Sequence, residues 1–196
     1  MGGLIRSIAP TGYPLSIAQL RDYLDAPADD RVDMLNRLQR AAARYIEGIT
    51  WQALLPSTWV QRFDYDWPRS ICGSYQITYG RSPVSSVSSV AYVDPDGANQ
   101  VLAANQRQDS FNSMPSLSVP AQNVSWPSVR YQLDAITVTY VAGYATVADI
   151  PEPLVHAVGL LTRELYDNPQ LVAVGNIVNE MPFGIRQLVW PFRVAR

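Results

Sequence analysis

The chain has 196 residues, a formal net charge of −2 and a pI near 5.3, and all 15 of its basic residues are arginine. A mildly acidic chain lacks the basic face by which dedicated nucleic-acid-binding proteins hold phosphates. The absence of lysine excludes a Walker lysine and a Schiff-base lysine.

The composition is typical of a globular protein. Charged residues make up 16% of the chain, against about 25% in an average protein, so we expect partners to cover part of the surface. The single cysteine, Cys72, has no companion for an internal disulfide or a metal site. No apolar run approaches the roughly 18 residues that span a bilayer, so no membrane partner is expected.

The N-terminal part of the sequence predicts two helices. "PLSIAQLRDYLDAP" predicts a short amphipathic helix that Ser16 caps and Pro27 ends. A longer helix is predicted from Val32 to Ile49, with Asp29 or Asp30 as its N-cap. Its apolar stripe consists of Leu35, Leu38, Ala42, Tyr45, Ile46 and Ile49.

The middle of the sequence has the period of strands. Alternation predicts a strand from Trp59 to Asp66, and "YQITYG" a short one. Two further strands flank a type I turn at Asp94–Gly97. The polar stretch from Asn105 to Trp126 predicts a long loop, and β-branched residues from Ile136 to Val141 predict the strongest strand.

The last third of the sequence returns to helical spacing. Pro151 and Pro153 begin a helix that ends at Asn168, and "FGIRQLVW" predicts a short helix before Pro191. Because helices flank strands without βαβ alternation, the predicted class is α+β, with the terminal helices forming a small bundle and a β-rich insertion between them.

No set of residues in the sequence predicts an enzyme. The only histidine, His156, lies within a predicted helix without a recognisable nucleophile or second histidine, so we interpret it as structural or surface-exposed. Glycine-rich phosphate-binding motifs are absent. We expect no catalytic residue, no metal and no cofactor.

Two acidic clusters have simpler explanations than chemistry. Asp29, Asp30 and Asp33 lack the spacing of an EF-hand and are interpreted as helix-capping residues. Asp64 and Asp66 share one face of an alternating strand, where an acid/base pair is possible. A solvated strand face is the preferred interpretation of that pair.

Several segments, in order, resemble the head-tail connector (adaptor) proteins of tailed bacteriophages and gene transfer agents, of the gp6-like and gp8-like type. The resemblance covers nearly the whole chain, although "TWQALL" stands where a Thr-Gly-Arg-like turn is expected and Leu102 to Val129 matches no family pattern. The matching segments are "PLSIAQLRDYL", "LNRLQRAAARYIEGIT", "ALLPSTW", "RSPVSSVSSVAYVDPDG", "AITVTYVAGYATVADIPEPLVHAVGLLTRELYDN" and "MPFGIRQLVWPFR".

The resemblance implies a non-enzymatic subunit of a homo-oligomeric ring of about 12 copies, in the virion neck and made in the host cytoplasm. Its implied partners are the portal protein and a tail terminator or other neck or tail protein, and DNA passes through the lumen without sequence-specific binding. Such a ring needs two different contact faces, which exposed aromatics can supply. Candidates are Trp59, Trp67, Trp126 and Trp190, although core positions are equally open to them.

The expected organisation is a single adaptor domain, 1–196. It comprises N-terminal helices (1–50), a β-rich middle (54–142), a C-terminal helical part (150–180) and a C-terminal docking arm (181–196). The turn Asp94, Pro95, Asp96 and Gly97 is assigned to the tail or the lumen, whose lining we expect to be Asp, Glu and neutral residues. The portal-docking residues are predicted to be Arg186, Leu188, Val189, Trp190, Pro191, Phe192, Arg193, Val194 and Arg196.

Two alternatives remain open. One is another neck or tail-completion component that does not contact the portal, and the other is a small-molecule enzyme or binding protein of α+β architecture. The C-terminal arm has its own alternative, because its apolar residues can also pack on the domain that carries them.

Overall fold

The computed structural model describes residues 3–25, 31–168 and 183–194. The chain has an α+β fold, as the sequence predicts, with helices before and after a β-rich region in the order of the sequence. It divides into two compact units. The sheet unit takes its residues from Met1–Ala9, Pro56–Gly143 and Val194–Arg196, and the helical unit from Pro10–Leu55 and Tyr144–Arg193.

The larger sheet of the sheet unit is antiparallel and five-stranded, in the order β1-β2-β8-β4-β5. The predicted strongest strand, β8, lies at its centre and alternates between buried and half-buried residues. The sequence analysis did not predict β1, which pairs with β2 at one edge. The strands are β1 (Leu4–Ile8), β2 (Ser57–Phe63), β4 (Val84–Val93), β5 (Asn99–Val101) and β8 (Ile136–Ala142).

A smaller sheet has the order β3-β7-β6, and two of its three strands lie within the predicted long loop. The strands are β3 (Ile77–Thr78), β6 (Arg107–Ser110) and β7 (Leu117–Pro120). The prediction of a loop from Asn105 to Trp126 is therefore wrong over β6 and β7. Trp126, at the end of this stretch, is buried, and its ring centroid lies 4.8 Å from that of Trp67.

The helical unit contains α1 (Ile17–Leu24), α2 (Val32–Thr50), α3 (Glu152–Asp167) and α4 (Phe183–Val189). Ser16 caps α1 through a capping box with Gln19, as predicted. The N-cap residue of α2 is Arg31, which makes no side-chain capping bond. The predicted caps Asp29 and Asp30 lie outside the described residues.

The core of the helical unit is formed by the facing apolar stripes of its helices. From α2 it receives Leu35, Ala42 and Ile46, but the predicted stripe residue Tyr45 is 46% exposed. A close approach joins α1 to α3: a Cβ on Gly159 would lie 2.7 Å from the ring carbons of Tyr23. Only glycine, which has no Cβ, leaves room for the Tyr23 ring this close to the backbone of α3.

Candidate docking site at the C-terminal segment

The C-terminal segment, by which we mean residues 183–194, has one face that packs within the chain. Ile185 and Val189 are buried in the core of the helical unit, and Phe192 packs against that core. Val194 is also buried. Because burying a large apolar side chain contributes roughly 1.5–3 kcal/mol, these contacts explain much of the segment's apolar character.

Gln52 fixes the end of this segment to the residues that follow α2. Its side-chain amide donates to the Phe192 carbonyl over 2.7 Å and accepts from the Tyr144 hydroxyl over 2.7 Å. Gln52 is only 1% exposed, whereas Tyr144 and Phe192 are half-buried, so both bonds are partly shielded from water. Burial raises the pKa of the Tyr144 hydroxyl, and a tyrosine is already protonated, and so a donor, at neutral pH.

The opposite face of the segment is exposed. Trp190 is 55% exposed, and Arg186, Pro191 and Arg193 are exposed as well. The Arg193 guanidinium lies 5.4 Å from the centroid of the Trp190 ring, within the range of a cation–π contact. The predicted docking residues thus divide between a buried and an exposed face. Leu188 is half-buried, and Arg196 lies outside the described residues.

The exposed face, together with the end of α2, forms a surface pocket of about 480 Å³, which we call the C-terminal pocket. Its walls combine aromatic rings, aliphatic side chains and two guanidinium groups. Gly48 leaves it open, because no atom lies within 4 Å of a Cβ placed there. The lining residues are Tyr45, Gly48, Ile49, Trp51, Arg186, Val189, Trp190 and Arg193.

Trp51 enters the pocket wall through an unusual backbone conformation. It is the C-cap of α2 with a φ of 59°, and its N–H donates to the Glu47 carbonyl over 3.0 Å. This left-handed position favours glycine, the residue type that the family resemblance led us to expect near here. The chain places an indole instead, at the edge of the C-terminal pocket.

The two pocket arginines differ from Arg163 of the helical unit in having no ion-pair partner among the described residues. Arg163 makes ion pairs with Asp25 and Asp167. Among the residues that the structure describes, Arg186 and Arg193 form no ion pair, although Arg193 lies over Trp190. The pocket therefore carries positive charge beside apolar walls, a combination suited to an anionic group attached to an apolar one.

The predicted turn between β4 and β5 is present, and its assignment as a tail- or lumen-facing site stays a prediction. The Gly97 N–H donates to the Asp94 carbonyl over 3.0 Å, and Gly97 has a φ of 93°. Hydrogen bonds from the Gln100 side chain and the Ala98 N–H hold the pKa of Asp94 below its usual value. The turn thus carries two carboxylates, Asp94 and Asp96, at one edge of the sheet, with the Arg130 guanidinium close to Gly97.

The remaining acidic candidates have structural roles. Asp64 and Asp66 follow β2 rather than lying on it, so the predicted shared strand face is wrong. Asp64 accepts from the Asp134 N–H, and Asp66 accepts from Trp67 N–H and lies 3.3 Å from an Arg69 guanidinium nitrogen. Asp33 lies in the first turn of α2, where it interacts favourably with the helix dipole.

His156 and Cys72 show no sign of catalytic pairing. The Nδ1 atom of exposed His156 lies 2.8 Å from the Tyr23 hydroxyl, and Cys72 is a free, exposed thiol. In the described ranges, no group of three or more potential ligands could hold a metal ion. No described helix is long and apolar enough to cross a bilayer.

The four tryptophans proposed as contact residues do not behave alike. Trp59, Trp67 and Trp126 are buried in the sheet unit, so they belong to its core. Trp190 alone of these four is exposed. Sequence analysis missed Tyr45, Gly48 and Trp51 as pocket residues, because their exposure depends on where the C-terminal segment packs.

No protein-family model matches the sequence, and no curated protein matches it. Solved structures do match over the whole length. A chain in the virion of a native gene transfer agent particle is 25% identical, with a TM-score of 0.75, over 98% of this chain and 96% of that one.

Two further matches are chains in the necks of such particles. One, from the neck of an empty particle computed with C6 symmetry, is 24% identical with a TM-score of 0.76, over 99% of this chain and 96% of that one. The other, from the neck of a native particle computed with C12 symmetry, is 25% identical with a TM-score of 0.71, over 100% and 96%. The fold is therefore that of chains found in the neck of a phage-like particle.

Proposed function

We propose that the chain is a structural subunit of the neck of a tailed phage or gene transfer agent, of the gp6-like and gp8-like adaptor type. The observation that carries this proposal is the full-length similarity to chains of gene transfer agent necks. The subunit acts by assembly through non-covalent contacts and needs no catalytic step. Its place is the head-tail junction of the virion.

The subunits form a closed ring of about 12 copies beneath the portal. The C12 symmetry used for the neck of the native particle supports this number. In such a ring each copy contacts its two neighbours through different faces. The ring bridges the portal to a tail terminator or another neck or tail protein.

In this proposal, the exposed part of the C-terminal segment contacts the portal. Arg186, Trp190 and Arg193 are its accessible side chains, with Pro191 between them. Val189 and Phe192 serve by holding the segment in place, since they pack into the core of the helical unit. Docking therefore depends on the exposed face, which can be changed without emptying the core.

DNA passes through the lumen of the ring without sequence-specific binding. An acidic subunit suits this passage, because each phosphate neutralised by arginine would add a salt-dependent grip on the DNA. We assign the Asp94–Gly97 turn to the lumen or the tail side, and expect the lining to consist of Asp, Glu and neutral residues.

The test is binding of the purified chain to the portal of the same particle. We expect the triple variant Arg186→Gln, Trp190→Ser, Arg193→Gln to lose at least tenfold in portal affinity, measured by mass photometry or sedimentation. The matched control is Arg44→Gln, Tyr75→Ser, Arg69→Gln, which removes the same charges and one aromatic ring elsewhere. Unchanged portal binding by the first variant would overturn the docking assignment.

A second candidate is a neck or tail-completion component that does not contact the portal. The same similarity supports it, because the matched chains come from whole neck assemblies. The two candidates differ in one result: a ring that binds a purified tail-side neck protein but not the portal supports the second.

A further inference from the structure

The C-terminal segment lines the C-terminal pocket of its own chain, whereas the sequence analysis predicted that this segment docks on a partner. We propose that the C-terminal pocket receives an aromatic side chain with an adjacent carboxylate, presented by a protein subunit of the same particle. This inference rests on the proposed function and adds the chemistry of the contact. In this contact the C-terminal segment receives a side chain from the partner and does not insert into the partner. The apolar residues that would have to insert, Ile185, Val189 and Phe192, already pack in the core of the chain itself.

The walls of the pocket select an aromatic guest. Tyr45 and Trp190 are both about half exposed in the isolated chain, and Trp51 adds a third ring. Ile49, which is half-buried, supplies apolar surface in the same pocket. Aromatic anchors seated in such pockets are the usual centres of protein interfaces, and the volume of about 480 Å³ lies within the usual range for ligand pockets.

The two guanidinium groups select a carboxylate. Arg186 and Arg193 line the pocket, and neither is committed to an ion pair among the described residues. The planar guanidinium group binds carboxylates through paired hydrogen bonds. A guest with an indole or phenol ring and a nearby carboxylate therefore satisfies the apolar walls and the charge together.

Nucleic acid fits the pocket less well than protein. Phosphates complement arginine, but they leave the aliphatic surface of Ile49 uncovered. The chain has a net charge of −2, which repels a polyanion at long range. A protein segment offers its charge singly and beside an apolar side chain, so the observations favour it.

Gly48 gives a direct way to fill the pocket. A Cβ there would meet nothing within 4 Å, and the residue lies in the interior of α2. A tryptophan at this position would project into the pocket. Gly184 is the matched control, because it is also helical, exposed and free of neighbours within 4 Å, yet it does not line the pocket.

The first measurement uses the full chain with N-acetyl-L-tryptophan and its amide, which differ only in the carboxylate. We expect saturation-transfer NMR to give at least fivefold tighter binding of the acid. Gly48→Trp should abolish binding of both probes, and Gly184→Trp should leave it intact. Arg186→Gln with Arg193→Gln, two surface changes that keep the fold, should remove the preference for the acid.

Three outcomes would overturn the inference: equal binding of acid and amide, binding that persists in folded Gly48→Trp, or stronger competition by a ten-nucleotide thymidine strand than by the acid. The last outcome would make the pocket a nucleic-acid site.

The second measurement is incorporation of the variants into particle necks. We expect Gly48→Trp to reduce it at least tenfold and Gly184→Trp to leave it unchanged. If Gly48→Trp is incorporated normally, no subunit occupies the pocket. This result would overturn the inference but not the proposed function. Absence of the unmodified chain from the necks would instead overturn the proposed function.

Discussion

At the scale of single residues, Gly159 sets how closely α1 can approach α3. A Cβ on this residue would lie 2.7 Å from the Tyr23 ring, so Gly159→Ala forces the ring or the helix to move. Overpacking of this kind costs about 1–3 kcal/mol. The helix propensity of alanine returns about 0.5–1 kcal/mol of this cost, so we expect a net decrease in the free energy of unfolding, measured by urea denaturation.

Gly184→Ala is the control for this prediction. It lies in α4 with no atom within 4 Å of the new Cβ, so it should be neutral or stabilise the chain by about 0.5–1 kcal/mol through helix propensity. Equal effects of the two substitutions would show that the contact between Tyr23 and Gly159 does not restrict the fold.

Asp94 provides a pH-dependent readout of the β4–β5 turn. Its pKa is lowered by the bond from Gln100 and by the backbone bond from Ala98, so Gln100→Ala should raise it toward the ordinary value. A group with a lowered folded-state pKa stabilises the fold above its unfolded pKa, and this contribution is lost as pH falls through the folded value. An NMR titration of the Asp94 carboxyl measures the shift.

Gln108→Ala, an exposed position on β6, is the control and should leave the titration of Asp94 unchanged. If Gln100→Ala also leaves it unchanged, the side-chain bond does not hold the turn.

At the scale of elements, the hydrogen bonds of one buried side chain, Gln52, add to the core packing that holds the C-terminal segment. Gln52→Leu leaves the Phe192 carbonyl without its donor and the Tyr144 hydroxyl without its acceptor. An unpaired buried polar group costs about 1–3 kcal/mol. We expect faster hydrogen exchange at the backbone amides of residues 189, 190, 192 and 193, and a lower free energy of unfolding.

Gln187→Leu makes the same chemical change on the exposed face of α4 and should leave that exchange unchanged. Equal protection in both variants would mean that core packing of Ile185 and Val189 suffices to hold the segment.

Elements with strong periodicity could be predicted from the sequence, and weakly patterned ones could not. The apolar stripe of α2 and the β-branched residues of β8 were sufficient to predict these two elements, because each buries one face throughout its length. Strand β6, Arg107–Ser110, has no apolar alternation. It forms through hydrogen bonds to β7, which depend on the tertiary fold.

At the scale of the whole molecule, the sequence indicated the importance of the C-terminal segment but not the use of each residue. Its apolar content left self-packing and docking open, and the structure shows that Val189 packs inward while Trp190 stays exposed. The pocket itself could not be predicted, because Gly48 and Trp51 join Arg186 only through long-range packing. Full-length similarity to a chain of a gene transfer agent neck supports a neck component, and docking through the exposed face stays a proposal.

The proposed function predicts that this chain forms a ring that docks on a portal. The most direct measurement is electron microscopy of the purified chain mixed with the purified portal of the same particle. We predict a closed ring of about 12 copies seated on the portal, with the C-terminal pocket at an interface between subunits. A chain that stays monomeric beside the portal and forms no ring would contradict the account.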